Sequence, residues 1–322
     1  MIRFRHVRWD ELLFRVGTGA FALLLVVIVV AIGFELWTES RLSIAQFGWH
    51  FWTADIWDPV AGEFGAKPFI WGTLYSSMLA LIISTPIALG IAIYISELSP
   101  HWLRRPLVFL TELLAAIPSI VYGLWGIFVL VPVVRRFETS LPEWMRGIPL
   151  FSGPPLGVGM LSAALILAIM VVPFSSSVAR EVLKAVPQSQ REGAYALGAT
   201  RWEAIRMALF YARTGIVGAV MLGFGRALGE TMAVTMVIGN SPQVSWSLFA
   251  PQYTMSAVLA NEFAEATDDL YLHALVEIGL VLFAITLVIN VISRLFIWSM
   301  GQGLSPRRLL AFRTAAARPG AS

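Results

Sequence analysis

In GFGRALGETMAV, residues 223–234, Arg226 precedes Glu230 by four positions inside a run that otherwise reads as buried in lipid. A charge at the bilayer centre costs at least about 2.5–3.5 kcal/mol, so both groups must face protein or water rather than acyl chains. Arg226 offers a planar, permanently charged fork that suits an oxyanion such as a phosphate group. Glu230, read as one helical turn further along the same face, can hold that fork between passages and, as an acceptor, favours an oxyanion that still carries a P–OH. Other readings fit the same two residues: an internal brace in a purely structural membrane subunit, a permease for sulfate or molybdate, or an intramembrane enzyme acting on a lipid phosphate. In the last, Arg226 binds the phosphate and Glu230 serves as acid or base. Helix stabilisation is a weak reason for the pair, because such a surface pair is worth about 0.2–0.5 kcal/mol and Arg before Glu is the less favourable order.

The elements that position these charges are read from hydropathy. Of 322 residues, 57% are hydrophobic and 13% charged, and the mean hydropathy is +0.75, which is the composition of an all-α polytopic membrane protein. Cysteine is absent, and His6, His50, His101 and His273 fall in tails or loops, so neither a metal site nor a cofactor is expected. A hydrocarbon core of about 30 Å needs about 20 apolar residues, and about six such windows occur. They run from Gly17 to Leu36, Phe69 to Ser96, Leu107 to Val134, Leu156 to Ala179, Gly215 to Gly239 and Ala274 to Ser299. The first is longer than a signal-peptide core and lacks a small-x-small cleavage site, which predicts an uncleaved anchor.

Most Lys and Arg fall on one side if both termini are cytoplasmic; the loop with Arg135, Arg136 and Arg146 is the exception. The basic isoelectric point is then a topology signal, and no nucleic-acid partner is needed. The expected division is an N-terminus and first helix at 1–36, an external loop at 37–68, a five-helix core at 69–299 and a cytoplasmic tail at 300–322, whose end RTAAARPGAS lacks apolar periodicity and reads as disordered. The outer segment 37–68, with Trp37, Trp49, Trp52 and Trp57, reads as an aromatic belt along the headgroups or a docking face. The outer loop 240–273 carries Glu262, Glu265, Asp268 and Asp269 without Lys or Arg, and reads as a solvated face or a partner surface. Pro86, Pro118 and Pro173 interrupt spans, as do Gly123 and Gly126, a pattern that fits broken helices along a transport path as well as packing kinks.

PQSQREGAYALGATRWEAI, residues 187–205, has the strongest local grammar. Ser189 with Glu192 predicts one capping box, Gly198 a C-terminal stop and Thr200 with Glu203 a second box, giving helix, tight turn, helix. Such a hairpin is either a simple connector or a rigid body through which a partner pushes on the bundle.

EGAYALG, Glu192 to Gly198, resembles the EAA loop of ATP-binding-cassette importer permeases, with Gly193 where the pattern has its first Ala and Ala194 at the second. The later Ile-x-Leu-Pro of that pattern falls at residues 208–211, which here read ALFY. GFGRALGETMAVTMVIGN, ELLAAIPSIVYGLWG, PFIWGTLYSS and LANEFAEA resemble the PstC-type family of phosphate-uptake permease subunits, and together they cover most of residues 68–300. The resemblance implies a MetI-like ABC importer permease core preceded by an extra first helix. Its implied partners are a second homologous permease subunit, a pair of cytoplasmic ATPase subunits and an external phosphate-binding protein. It also implies ATPase coupling through Glu192, Gly193, Ala194 and Gly198, and a location in the bacterial cell membrane. No G-x-x-x-x-G-K-[ST] loop occurs in the chain, so ATP-driven transport requires nucleotide on another subunit, and no HExxH or G-x-S-x-G points to an enzyme.

Overall fold

The computed structural model describes residues 9–301, with side chains from Leu13 to Met300; Arg3, Arg5, Arg8 and the tail 302–322 lie outside the described residues. A long helix, α1 (Trp9–Glu39), is followed by the short helices α2 (Arg41–Phe47) and α3 (His50–Thr53). Strands β1 (Trp57–Asp58) and β2 (Glu63–Phe64) then form an antiparallel pair with Trp57 opposite Phe64. Helix α4 (Lys67–Ile93) runs into a π-helical turn, Tyr94–Leu98. Helices α5 (His101–Ala116) and α6 (Ser119–Trp125) follow, then a second π-helical turn, Gly126–Leu130, with α7 (Val131–Ser140) and α8 (Glu143–Arg146). The remainder is α9 (Met160–Lys184), α10 (Gln188–Ala196), α11 (Arg201–Leu228), α12 (Met232–Thr235), α13 (Met255–Glu262) and α14 (Asp269–Gly301).

Six stretches among the described residues are long and apolar enough to cross a bilayer: Leu13–Glu39, Lys67–Leu98, Ser119–Ser140, Met160–Lys184, Arg201–Leu228 and Asp269–Met300. Helix α9 is the hub. Its most apolar window is 61% buried, against 0% for that of α1, which leans on the rim of the bundle through α14. The main core gathers Met160, Ile166, Leu167 and Val171 of α9 with Val234, Val237 and Ile238.

The structure corrects several expectations. The window Leu107 to Val134 is not one span, because the chain breaks at Pro118 between α5 and α6; the pre-proline residue Ile117 is extended, at ψ 129, as proline sterics favour. Pro86 and Pro173, by contrast, sit inside unbroken α4 and α9. The segment 37–68 is a folded aromatic unit rather than a loop: Trp57 meets Phe64 and Phe69 edge to face at 4.9 and 4.8 Å, and Phe64 stacks on Tyr271 at 5.5 Å.

Residues 236–254, the end of the expected span Gly215 to Gly239 and the first half of the expected outer loop 240–273, are threaded back into the bundle. Their carbonyls at Val237, Ala250 and Leu248 accept from the N–H groups of Gly159, Met160 and Leu161, the donors that the start of α9 leaves unpaired. Trp71 Nε1 and Tyr75 Oη on α4 donate to the carbonyls of Ser245 and Trp246, each at 2.9 Å. Irregular backbone is tolerated at this depth because protein surrounds it and satisfies it.

Candidate functional site

Helix α11 is built to lie close against its neighbours. Ala204, Ala208, Ala212, Ala219, Gly223 and Ala227 are buried along one side, a seam of small residues that lets backbones approach. At Gly223 the approach is tightest, since a Cβ there would collide with Ser175 Oγ and come within 2.9 Å of Val171 Cγ1 on α9.

The helix ends at Leu228, with Gly229 as its cap, so Arg226 occupies its last turn. A cation there complements the carbonyl end of the helix dipole. Arg226 is 13 positions beyond Arg213, the preceding charge in the sequence, which places it about 20 Å along the helix and deep within the apolar layer. Its side chain is exposed on the surface of the chain, and its Cζ lies 5.8 Å from the Phe174 ring centroid. Among the described residues it closes no ion pair.

The expected same-face pairing with Glu230 is therefore overturned. Glu230 lies beyond the helix end, half-buried, and its carbonyl accepts from Ser256 Oγ of α13 at 2.8 Å. The physical reason is the run Gly223, Gly225 and Gly229: glycine is a poor helix former and a natural terminator, and a basic residue in the last turn is part of the same stop signal. After the break, α12 packs on α6 at Gly123, where a Cβ would stand 3.2 Å from Ala233 Cα. The exposed guanidinium thus sits at the end of α11 away from the hairpin, near Phe174 of α9.

At the other end of α11 the hairpin forms as helix, turn, helix. Gly198 adopts φ +82°, and the Ala199 and Gly198 N–H groups donate to the carbonyls of Ala194 and Tyr195 at 3.1 and 2.9 Å, a Schellman closure. The Thr200–Glu203 capping box is present. The Ser189–Glu192 box is not: Pro187, extended at ψ 136, is the N-cap, which puts Ser189 inside the first turn. Ala194 is buried, whereas Glu192, Gly193 and Gly198 are exposed, and Leu197 at the turn is 91% exposed beside the open faces of Tyr195 and Trp202.

Arg191, which the sequence reading did not single out, fastens this hairpin to the bundle. Its Nη2 and Nε donate to Glu97 Oε1 and Oε2 at 2.6 and 3.2 Å, and it also donates to the carbonyls of Leu183 and Val186. Arg201 Nη2 adds a bond to the Glu97 carbonyl at 2.8 Å. Nearby, Arg180 of α9 pairs with Glu112 of α5 and with Glu181 at 3.2 and 2.9 Å. No local pattern marks these partners.

Residues 84–301 match the family described as binding-protein-dependent transport system inner membrane component. A Mesorhizobium japonicum protein named phosphate transport system permease protein PstC is 46% identical over 296 residues, 90% of each chain. The protein of that name from Haemophilus influenzae is 48% identical over 300 residues, 91% of this chain and 95% of its own. A probable PstC from Methanocaldococcus jannaschii is 39% identical over 274 residues, 83% of this chain and 87% of its own. Among solved structures, a chain of the inward-facing MetNI methionine ABC transporter superposes with a TM-score of 0.54 at 15% identity, covering 72% of this chain and 94% of that one, which is a likeness of fold. The capped hairpin, the long helix that follows it and the apolar bundle accordingly belong to one architecture, and the chain is a multi-pass membrane protein of the binding-protein-dependent transport system inner membrane component family.

Proposed function

We propose that this chain is a permease subunit of an ATP-driven inorganic phosphate importer in a bacterial cell membrane, forming half of the translocation pathway. Both termini and the hairpin 187–205 face the cytoplasm. The chain has no ATPase site of its own and works with a second homologous permease subunit, a pair of ATPase subunits and an external phosphate-binding protein. In this division 1–36 is the anchor, 37–68 the external unit, 69–299 the permease core and 300–322 the tail.

The observation that carries the reading is the exposed Arg226 at a helix end inside the apolar layer. A guanidinium cannot rest against acyl chains without cost, so its surroundings are a partner subunit or a water-filled path, and a path suits an oxyanion cargo. The names of the relatives favour phosphate over sulfate or molybdate. Glu192, Gly193, Ala194 and Gly198 form the hairpin that an ATPase groove would receive, with Leu197, Tyr195 and Trp202 as its exposed apolar contacts.

The hairpin turn and Arg226 share one unbroken helix of 28 residues, about 42 Å long. Movement of the turn is therefore delivered rigidly to the guanidinium. Glu230, two residues beyond the helix end, is tied by its carbonyl to Ser256 of α13, so a tilt of α11 changes the distance between the two charges and makes a transient phosphate station.

The test is phosphate uptake measured beside the yield of assembled complex. Arg226→Lys keeps the charge but loses the fork, and is expected to assemble fully and take up phosphate at least tenfold more slowly. Glu230→Gln is expected to assemble and lose regulation or selectivity. Normal uptake in both variants, or assembly lost in step with uptake, favours a structural brace and defeats the proposal.

A further inference from the structure

At the end of the bundle away from the hairpin, a cavity of about 300 Å³ opens between α1, the α2–α3 segment and α14, lined by Trp37, Ile44, Trp49, Trp52, Glu277 and Leu280. Glu277 is 2% exposed, and its Oε2 has no hydrogen-bond partner. Ser43 Oγ, buried beside it, is its hydroxyl neighbour and makes no other hydrogen bond. Among the described residues no Lys or Arg closes an ion pair on this carboxylate. His273, one turn earlier on α14, is engaged with the Glu39 carbonyl instead.

A carboxylate withdrawn from water is strongly disfavoured without a counter-charge, and the described residues supply none. The rings around it are the aromatic faces that attract an ammonium group; Trp49 and Trp52 stand 6.1 Å apart and tilted at 46°. Charge and rings together select an alkylammonium.

The position selects its source. Helix α14 has 33 residues, about 50 Å against a hydrocarbon core of about 30 Å, so its first turns stand in the headgroup layer. Glu277 is eight positions from its start, about 12 Å. Trp37 brings α1 into the cavity wall, and Ile32 and Phe34, earlier on the same helix, are exposed apolar side chains against which acyl chains can lie. Tryptophan is at home at this level.

We propose that the cavity binds the ammonium head group of a membrane lipid of the phosphatidylethanolamine type, with its amine held by Glu277 and the faces of Trp49 and Trp52. The acyl chains then run down α1 and tie that helix, which has little other packing, to the bundle.

The experiment is native mass spectrometry of the full-length chain, purified with its co-purifying subunits and titrated with defined lipids. The unmodified protein is expected to retain one phosphatidylethanolamine at least tenfold better than phosphatidylglycerol or the N-acetylated lipid, which has the same acyl chains but no ammonium. Glu277→Gln is expected to abolish that preference and Trp49→Leu to weaken it severalfold. Equal retention of the acetylated and free-amine lipids by the unmodified protein overturns the proposal whatever the variants do. Displacement of the lipid by equimolar soluble phosphoethanolamine overturns it in favour of a free amine. Carbodiimide crosslinking of Glu277 to a lysine of a co-purifying protein overturns it in favour of a protein partner.

Discussion

Arg191 on the hairpin and Glu97 at the end of the first π-helical turn close a two-point ion pair, 2.6 Å at its shorter contact, across 94 positions of sequence. The same guanidinium caps the end of α9 through Leu183 and Val186, so one side chain joins the hairpin to both central helices. Both partners are mostly sheltered, with side-chain exposures of 18% and 12%. Arg191→Lys keeps the charge and loses the fork; it is expected to cost about 2 kcal/mol, the scale of a hydrogen bond to a charged group. Thermal unfolding of the purified complex should show a lower midpoint, with ATP hydrolysis retained and uptake reduced. An unchanged midpoint and normal uptake would remove Arg191 from the coupling path.

Gly198 stands at φ +82° with open space around it, so the difficulty for any replacement is backbone conformation rather than packing. Gly198→Val is expected to strain the turn by roughly 1–2 kcal/mol, leave membrane insertion intact and uncouple ATP hydrolysis from transport. Hydrolysis and uptake are measured in the same vesicles, and wild-type uptake would count against the hairpin as coupler.

Gly223 tests the opposite case, in which space is limiting and the backbone is ordinary helix. Gly223→Ala pushes α11 away from Ser175 and Val171 and is expected to destabilise the assembly by about 1–3 kcal/mol. Ser175→Gly in the same chain removes the nearest obstacle and should restore most of the loss. A double variant no more stable than Gly223→Ala would mean that this contact does not set the α9–α11 distance.

Glu262 and Glu265 looked alike as acidic loop residues, but they differ in place. Glu262 Oε2 accepts from Trp57 Nε1 and Tyr271 Oη at 2.8 and 2.7 Å, whereas Glu265 is exposed. Glu262→Lys is therefore expected to loosen the aromatic unit and lower the unfolding midpoint. Glu265→Lys should leave the midpoint alone and weaken binding-protein docking, read as uptake at limiting binding protein. The same midpoint loss in both variants would refute this division.

The sequence by itself determined what local chemistry can determine. Four of the six apolar windows fall on single helical spans, because about 20 apolar residues have few other homes. The turn at Gly198 and the Thr200–Glu203 box were legible because their hydrogen bonds close within a few residues. Arg226 could be picked out because an arginine among apolar residues needs a reason. Even the helix end was partly written in Gly229 after Arg226, although hydropathy alone carried the span on to Gly239.

Tertiary structure decided the rest. That Arg226 and Glu230 part company, that Glu97 receives Arg191, and that residues 236–254 thread between α4 and α9 all follow from contacts between distant segments, such as Trp71 with Ser245 across 174 positions. Hydropathy records only whether a residue avoids water, and lipid, a packed helix and a threaded backbone all satisfy that demand equally. Which of them a segment meets is set by backbone groups that must find partners in a medium with no water to supply them, and those partners exist only once the bundle has closed.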